Sequence, residues 1–123
     1  SSKVERTLSK LHGDRLLDLS ADILISAHHG SKHSSLSEFI ALVSPKLVIH
    51  SSGVNNRFGF PTPEVEARFA LAGVEQLSTN EDGEILIHFP NDHSGQLMIK
   101  TKLNQWTPFW KRQNPFSIVQ QIR

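Results

Sequence analysis

Cysteine is absent from the 123-residue sequence, and no apolar run is long enough to cross a bilayer. Without cysteine the chain has neither disulfides nor thiolate metal ligands. Its cysteine content therefore fits an oxidising compartment and a reducing one equally well. The net charge is only +1 with neutral histidines, which is too small to indicate a nucleic-acid surface from charge alone. Any binding of a nucleic acid would therefore depend on local groups of residues.

The composition is that of a soluble globular chain, with 37% hydrophobic and 20% charged residues. The length suits a single domain with a core of modest size. We find no internal repeat and no low-complexity tract. Helical spacing begins directly after Ser1-Ser2-Lys3, so no signal peptide is predicted.

The apolar spacing predicts a β-α-β-α order. Three helices are predicted. The first spans 2–12, the second begins at the capping-box pattern Ser35-Leu36-Ser37-Glu38, and the third runs from Thr62-Pro63 to Gly73. Buried strands are predicted at 22–27 and 47–49. This order favours parallel strands with right-handed crossovers and helices that cover the sheet.

After Gly73 the hydrophobic period changes from helical to extended. Residues 74–78 and 84–89 flank the turn residues Asn80-Glu81-Asp82-Gly83, which predicts a β-hairpin. A further strand is predicted at 95–101.

One strand runs directly into two imidazoles. Ile23-Leu24-Ile25 is followed by Ser26-Ala27 and then by His28-His29-Gly30-Ser31. Side chains at the carboxyl end of a parallel strand point into the crevice where α/β proteins bind ligands. A histidine pair there is suited to metal-assisted hydrolysis or to acid/base work. The alternative is that one histidine only packs or hydrogen-bonds at the strand end.

Several other residues could have either a functional or a purely structural role. His50 ends the second strand on the same edge, which would allow a three-histidine site. Lys32 and His33 precede a helix and could contact a phosphate, although ordinary helix capping explains them as well. Arg57 could pair with a phosphate or with a nearby carboxylate.

The C-terminal segment Trp106–Phe116 mixes aromatic rings with cations. Base stacking with phosphate contact would use this mixture, and a membrane interface would favour tryptophan. Two prolines and scattered hydrophobic residues at a chain end also fit a segment that covers a core or a partner domain.

Four motifs in order resemble a known family. They are His28-His29-Gly30-Ser31, Asn55-Asn56-Arg57-Phe58-Gly59, Pro61-Thr62-Pro63-Glu64-Val65, and Asp82-Gly83 before an apolar strand. As a set, over residues 4–89, they resemble the C-terminal part of the metallo-β-lactamase-like domain of ComEC-type competence DNA-uptake proteins. The resemblance implies an α/β fold, namely a partial metallo-β-lactamase-like αββα sandwich in which the β-α-β-α unit is followed by the hairpin and a further strand.

The resemblance also implies site residues. His29 would bind a divalent ion, Zn or Mn, in the complete domain, and His28 would lie beside it as a second catalytic residue. Ser31, Asn56 and Arg57 would position the substrate. The complete domain would hydrolyse phosphodiester bonds of DNA, as part of a protein whose membrane channel brings single-stranded DNA into the bacterial cell.

The sequence departs from the family pattern in two places. No HxHxDH-like motif is present, and the usual Gly-His-Pro is Gly59-Phe60-Pro61. We therefore expect residues 1–101 to be the C-terminal half of the domain and residues 102–123 to be an aromatic and basic tail. Alone, the chain is expected to be inactive and to bind no metal ion tightly.

Several partners follow from this interpretation. They are DNA, the missing N-terminal half of the domain, the membrane channel part of the parent protein, and further copies of the chain, since a half sandwich exposes apolar surface. The chain would be a soluble domain of a bacterial inner-membrane protein, on either the periplasmic or the cytoplasmic face. The alternative function is a non-catalytic module that binds DNA or another component of the uptake machinery.

Overall fold

Two sheets with different strand directions form the fold. The computed structural model describes residues 2–91 and 96–102, together with the backbone of 107–111 and 118–120. The strands are β1 Ile23–Ile25, β2 Leu47–His50, β3 Glu75–Ser78, β4 Ile85–His88, β5 Gln96–Thr101, β6 Thr107–Lys111 and β7 Ile118–Gln120. The helices are α1 Ser2–Gly13, α2 Ser37–Val43, α3 Pro63–Leu71 and the single turn α4 Thr79–Asp82.

The first sheet is parallel, in the order β3-β2-β1-β7, and the second is antiparallel, in the order β4-β5-β6. The predicted mixed α/β class and the parallel pairing of β1 with β2 are therefore confirmed. The predicted helix starts are confirmed for α1 and α3, where the Thr62 hydroxyl accepts from the Val65 N–H and Pro63 occupies the first turn.

Side chains of the parallel sheet alternate between two cores. Leu24 and Val48 pack against the helices, in a cluster with Phe39, Val65 and Phe69. The next residues in each strand point the other way. Ile23, Leu47 and Ile49 pack against Leu97 and Ile99 of β5. The layers are therefore helices, parallel sheet and antiparallel sheet.

The start of α2 differs from the capping-box prediction. Leu36 occupies the N-cap position without a side-chain cap, and Ser35 has a left-handed φ of 54°. The carboxylate of Glu5, on α1, instead accepts hydrogen bonds from the N–H groups of Ser35 and Leu36, at 2.6 and 2.9 Å. A buried acidic residue about 30 positions away therefore replaces the local cap. Because these N–H groups already have an anionic partner, they are not aimed at a phosphate.

The predicted hairpin between 74–78 and 84–89 is wrong. β3 pairs in parallel with β2, whereas β4 pairs antiparallel with β5 in the other sheet. The intervening residues form the turn α4, in which the Asp82 carboxylate accepts from the Ser78 N–H and Gly83 adopts a φ of 72°. The turn residues thus carry the chain from one sheet to the other, and β3 pairs with β2, a strand whose four residues are all buried.

The C-terminal part contributes one strand to each sheet. β6 pairs with β5 and β7 pairs in parallel with β1. The side chains of Trp106–Phe116, and the predictions made for them, lie outside the described residues, so the boundary at 101/102 remains a prediction. Within the described part, no helix is both long and apolar enough to cross a membrane. Self-association of the chain also remains a prediction.

Candidate functional site

The carboxyl ends of β1, β2 and β3 meet at one edge of the parallel sheet. The sequence predicts this shared edge for β1 and β2, and β3 is an addition to it. β1 leads into the 3-10 turn Ala27–Gly30, here called the histidine turn. β2 leads into residues 51–61, here called the aromatic loop. The two segments are tied together where the Thr62 N–H donates to the Gly30 carbonyl at 2.9 Å.

The histidine turn has an unusual backbone. His28 and His29 have φ values of 51° and 58°, and Gly30 follows at 90°. Left-handed conformations are unfavourable for residues with a side chain, and they concentrate at functional sites. This conformation leaves His28 exposed and His29 half-buried, so both rings reach the crevice rather than the core.

His29 is oriented by the backbone of the next strand. Its Nδ1 lies 2.5 Å from the carbonyl oxygen of Ser51. Because a carbonyl can only accept, Nδ1 must carry the proton, which places the basic lone pair on Nε2. Histidines that bind metals are commonly oriented in this way by a partner on the other ring nitrogen. The geometry thus suits the metal role predicted for His29.

His28 is less well placed to share an ion with His29. The two ring centroids are 6.4 Å apart in an edge arrangement. Two imidazoles on one tetrahedral zinc have centroids about 5 Å apart, given Zn–N distances of roughly 2.0–2.1 Å. The His28 ring contacts Phe60 instead, at 5.8 Å between centroids. This placement fits a side chain that faces the substrate.

His50 does not join the other two histidines. It is buried, and its Nδ1 lies 2.8 Å from the Ser26 hydroxyl. Its Nε2 lies 3.0 Å from the Gln76 carbonyl oxygen, and the Gln76 amide donates to the Glu66 carbonyl. Both ring nitrogens are therefore used inside the protein, and the predicted alternative of a three-histidine site is wrong. The Ser26–His50 pair is equally unsuited to nucleophilic catalysis, because neither side chain reaches the surface.

This buried network makes stability depend on pH. Burial lowers the pKa of the His50 imidazole below its usual value, and the hydrogen bond to Gln76 opposes the shift in part. Below a pH of about 6.5 the unfolded chain binds a proton at this position that the folded chain resists. We therefore expect the stability contributed by neutral His50 to be present above that pH and to be lost as the pH falls, by up to about 1.4 kcal/mol per pH unit.

Urea unfolding of the wild type and of His50→Gln between about pH 7.5 and 5 tests this expectation. The wild type should lose stability more steeply with falling pH than the variant. The comparison concerns slopes and is therefore independent of any constant loss caused by the substitution. Equal slopes would contradict the assignment.

The aromatic loop is held in shape by Asn56. Its side-chain oxygen accepts from the Phe60 N–H at 2.8 Å. Its amide group donates to the carbonyls of Gly53 and Phe60, at 3.0 and 2.8 Å. Asn56, predicted to position substrate, thus positions the loop that carries Arg57, Phe58 and Phe60.

Ser31 and Arg57 occupy different environments. Ser31 is buried, and its hydroxyl accepts from the His33 N–H at 3.3 Å. Arg57 is exposed, and its Cζ atom lies 4.7 Å from the ring centroid of Phe58. Arg57 therefore presents a cation at the surface, whereas the Ser31 hydroxyl holds the residues that follow the histidine turn. The substrate-binding roles of both residues remain predictions.

Two clefts share the wall formed by His29, Phe58 and Phe60. The smaller, of about 470 Å³, lies on the side of Ser51–Gly53 and Asn56. The larger, of about 940 Å³, also contains His28, Ser31, Lys32, His33, Thr62 and Glu64. No role is predicted from sequence for Phe58, Phe60 or Glu64. The available signal was two phenylalanines within a polar, glycine-containing loop.

The described residues do not complete a metal site. Within them, no three histidine, aspartate or glutamate side chains are grouped closely enough to hold an ion. His29 is therefore a single oriented candidate ligand, and the donors of this part of the chain do not suffice for a hydrolytic metal centre.

The sequence is similar to three curated bacterial proteins. ComE operon protein 3 of Bacillus subtilis (strain 168) is 36% identical over 74 residues, which are 60% of this chain and 10% of that protein. Competence protein ComA of Neisseria gonorrhoeae is 33% identical over 84 residues, 68% of this chain and 12% of that protein. Recombination protein 2 of Haemophilus influenzae (strain ATCC 51907 / DSM 11121 / KW20 / Rd) is 31% identical over 85 residues, 69% of this chain and 11% of that protein.

No protein-family model matches the chain, and no solved structure matches it. The chain spans about a tenth of the length of the curated relatives it matches. It is thus similar to a short portion of much longer bacterial proteins, two of which are named for competence and for recombination.

Proposed function

We propose that the chain is part of a ComEC-type competence protein that takes up DNA across the bacterial membrane, and that it forms the C-terminal part of a metallo-β-lactamase-like domain. The observation that carries the proposal is the similarity to the three bacterial relatives named above, at 31–36% identity over 60–69% of the chain. The mixed α/β fold, with polar residues at the carboxyl edge of a parallel sheet, agrees with it.

In this proposal, the complete domain hydrolyses phosphodiester bonds of DNA. A divalent ion, zinc or manganese, would supply the Lewis acid. The hydrogen bond from His29 to the Ser51 carbonyl supports a ligand role for Nε2. The remaining ligands would come from a preceding half of the domain, since the described residues lack them.

The other site residues have supporting tasks. His28, exposed and packed against Phe60, faces the substrate. Arg57 provides an exposed guanidinium for a phosphate. Asn56 holds the aromatic loop in the required shape, and Ser31 holds the residues that follow the histidine turn. The membrane channel would be supplied by the remainder of the parent protein, on a face of the membrane that the proposal leaves open.

The test compares His29→Ala with His33→Ala in the complete domain, where His33 is an exposed histidine of the same cleft. His29→Ala should weaken Zn²⁺ or Mn²⁺ binding at least about 10- to 100-fold and should abolish metal-dependent cleavage of a labelled single-stranded oligonucleotide. His33→Ala should leave metal affinity within about twofold, as expected for a residue that touches no ligand of the ion.

Calorimetric metal titration and a cleavage assay measure these effects. Unchanged metal binding in His29→Ala would contradict the ligand role. Micromolar binding of the ion by the 123-residue chain alone would contradict the view that the site needs a preceding half.

A second function is favoured by one residue. Phe60 stands where the resemblance would place the histidine of Gly-His-Pro, and its ring packs against Phe58 and His28. Replacement of a polar group by a phenyl ring favours a module that binds DNA, or another component of the uptake machinery, without cleaving it. In that case the complete domain binds single-stranded oligonucleotides, shows no metal-dependent cleavage, and is unaffected by His29→Ala.

A further inference from the structure

An exposed aromatic ring with a cation beside it stands at the rim of both clefts. Phe58 is 60% exposed, and its ring lies nearly parallel to that of Phe60, with 5.3 Å between centroids and 17° between planes. The guanidinium carbon of Arg57 lies 4.7 Å from the Phe58 centroid. The planar groups of the three residues are thus gathered at one surface.

The exposed ring is held rather than loose. Asn56 ties both ends of the loop through Gly53 and Phe60, and the Gly59 N–H donates to the Asn56 carbonyl. Asn80, in the turn α4 that follows β3, adds a weaker hydrogen bond to the Phe60 carbonyl at 3.4 Å. A ring presented by a preorganised loop binds a planar partner without the entropic cost of ordering the loop.

The charges around the ring suit a polyanion. Lys32, His28 and His33 are exposed along the larger cleft, and Glu64 is the carboxylate on the same rim. With Arg57 included, permanent positive charges outnumber the single negative one among the described residues of this surface. The local excess, Lys32 and Arg57 against Glu64, is one positive charge, as large as the net charge of the whole chain.

We propose that Phe58 is a stacking platform for an unpaired base of a single-stranded nucleic acid, and that Arg57 turns from the ring to the adjoining phosphate when the base binds. The inference rests on the proposed function for the identity of the strand as DNA. Stacking of a base on an aromatic ring is stronger than an exposed cation–π contact, so the exchange is favourable. Bases of a duplex are stacked on their neighbours, so the platform selects single strands.

The test measures fluorescence anisotropy of three labelled probes with the 123-residue chain. They are an oligo(dT) of about 12 nucleotides, an abasic oligomer with the same number of phosphates, and a duplex of the same length. The wild type should bind oligo(dT) about 5- to 100-fold more tightly than the abasic oligomer, because only the former can stack. It should bind the duplex more weakly than oligo(dT).

The variant Phe58→Leu keeps an apolar side chain and removes the ring. It should weaken oligo(dT) binding about 5- to 30-fold and leave abasic binding within about twofold. Val54→Ala is the matched control, since Val54 is 71% exposed in the same loop, and it should leave both affinities unchanged. Thermal unfolding followed by circular dichroism checks that the variants fold, as exposure of both side chains leads us to expect.

The outcomes separate the two proposals. The stacking platform is wrong if the wild type binds oligo(dT) and the abasic oligomer with equal affinity. It is also wrong if Phe58→Leu lowers the affinities for these two probes equally, or lowers neither. In these cases DNA binding by the chain still stands. If the wild type binds none of the three probes, DNA binding by this chain is contradicted as well, and the ring then serves another partner. Should Phe58→Leu fail to fold, the wild-type preference for oligo(dT) over the abasic oligomer decides, and its absence overturns the inference.

Discussion

Replacement of Gly30 by alanine is expected to lower the free energy of unfolding by about 2–5 kcal/mol, because it combines backbone strain with a clash. Gly30 has a φ of 90°, which side-chain-bearing residues rarely adopt. A Cβ atom there would lie 2.6 Å from Pro61 Cβ and 2.8 Å from Pro61 Cα. Pro61 cannot swing aside as a flexible side chain would, so the histidine turn and the aromatic loop must separate.

Gly53→Ala is the matched control for this prediction. Gly53 lies in the aromatic loop, its φ is not left-handed, and a Cβ atom added there would have no heavy atom of another segment within 4 Å. Its substitution should change stability by less than about 0.5 kcal/mol. Urea unfolding of both variants measures the difference. A loss below about 1 kcal/mol in Gly30→Ala would show that the two segments are not in close contact.

Glu5→Gln is expected to destabilise the protein by about 2–4 kcal/mol. The Glu5 side chain is 2% exposed, and its two oxygens accept from the Ser35 and Leu36 N–H groups, at 2.6 and 2.9 Å. The amide of glutamine keeps one acceptor and turns a donor toward the other N–H. One buried N–H then loses its partner, and the charge that favoured the start of α2 is removed.

Glu38→Gln provides the comparison, since Glu38 is an exposed acidic residue in the first turn of the same helix. It should cost less than about 1 kcal/mol, through the helix dipole alone. Urea unfolding followed by circular dichroism measures both variants. Equal effects of the two substitutions would mean that the buried contact from α1 contributes nothing beyond charge at the helix start.

The elements that could be predicted are those whose signal is local. α1 and α3 were predicted from apolar spacing and from the Thr62-Pro63 start, and both are present. β1 and β2 were predicted from short unbroken apolar runs, which are typical of strands buried on both faces. In each case, the residues that form the element also determine its type.

The prediction errors involve a distant partner. Ser35–Glu38 has the sequence of a capping box, yet Glu5 supplies the cap, because a buried carboxylate satisfies two N–H groups together. Asn80–Gly83 has the composition of a hairpin turn, yet β3 pairs with β2 and β4 pairs with β5. Neither partner can be identified from the residues of the segment alone.

In the candidate site, too, some features follow from local sequence and others depend on distant partners. The order of residues was enough to place His28, His29 and His50 at one edge of a parallel sheet, since strand direction and the β-α-β-α pattern require it. Long-range packing then separated their roles. It buried His50 between Ser26 and Gln76, oriented His29 on the Ser51 carbonyl, and brought Phe58 and Phe60 against the histidine turn. Periodicity and turn chemistry act over a few residues, whereas the partner of a ring nitrogen or of an exposed ring depends on how the whole chain packs.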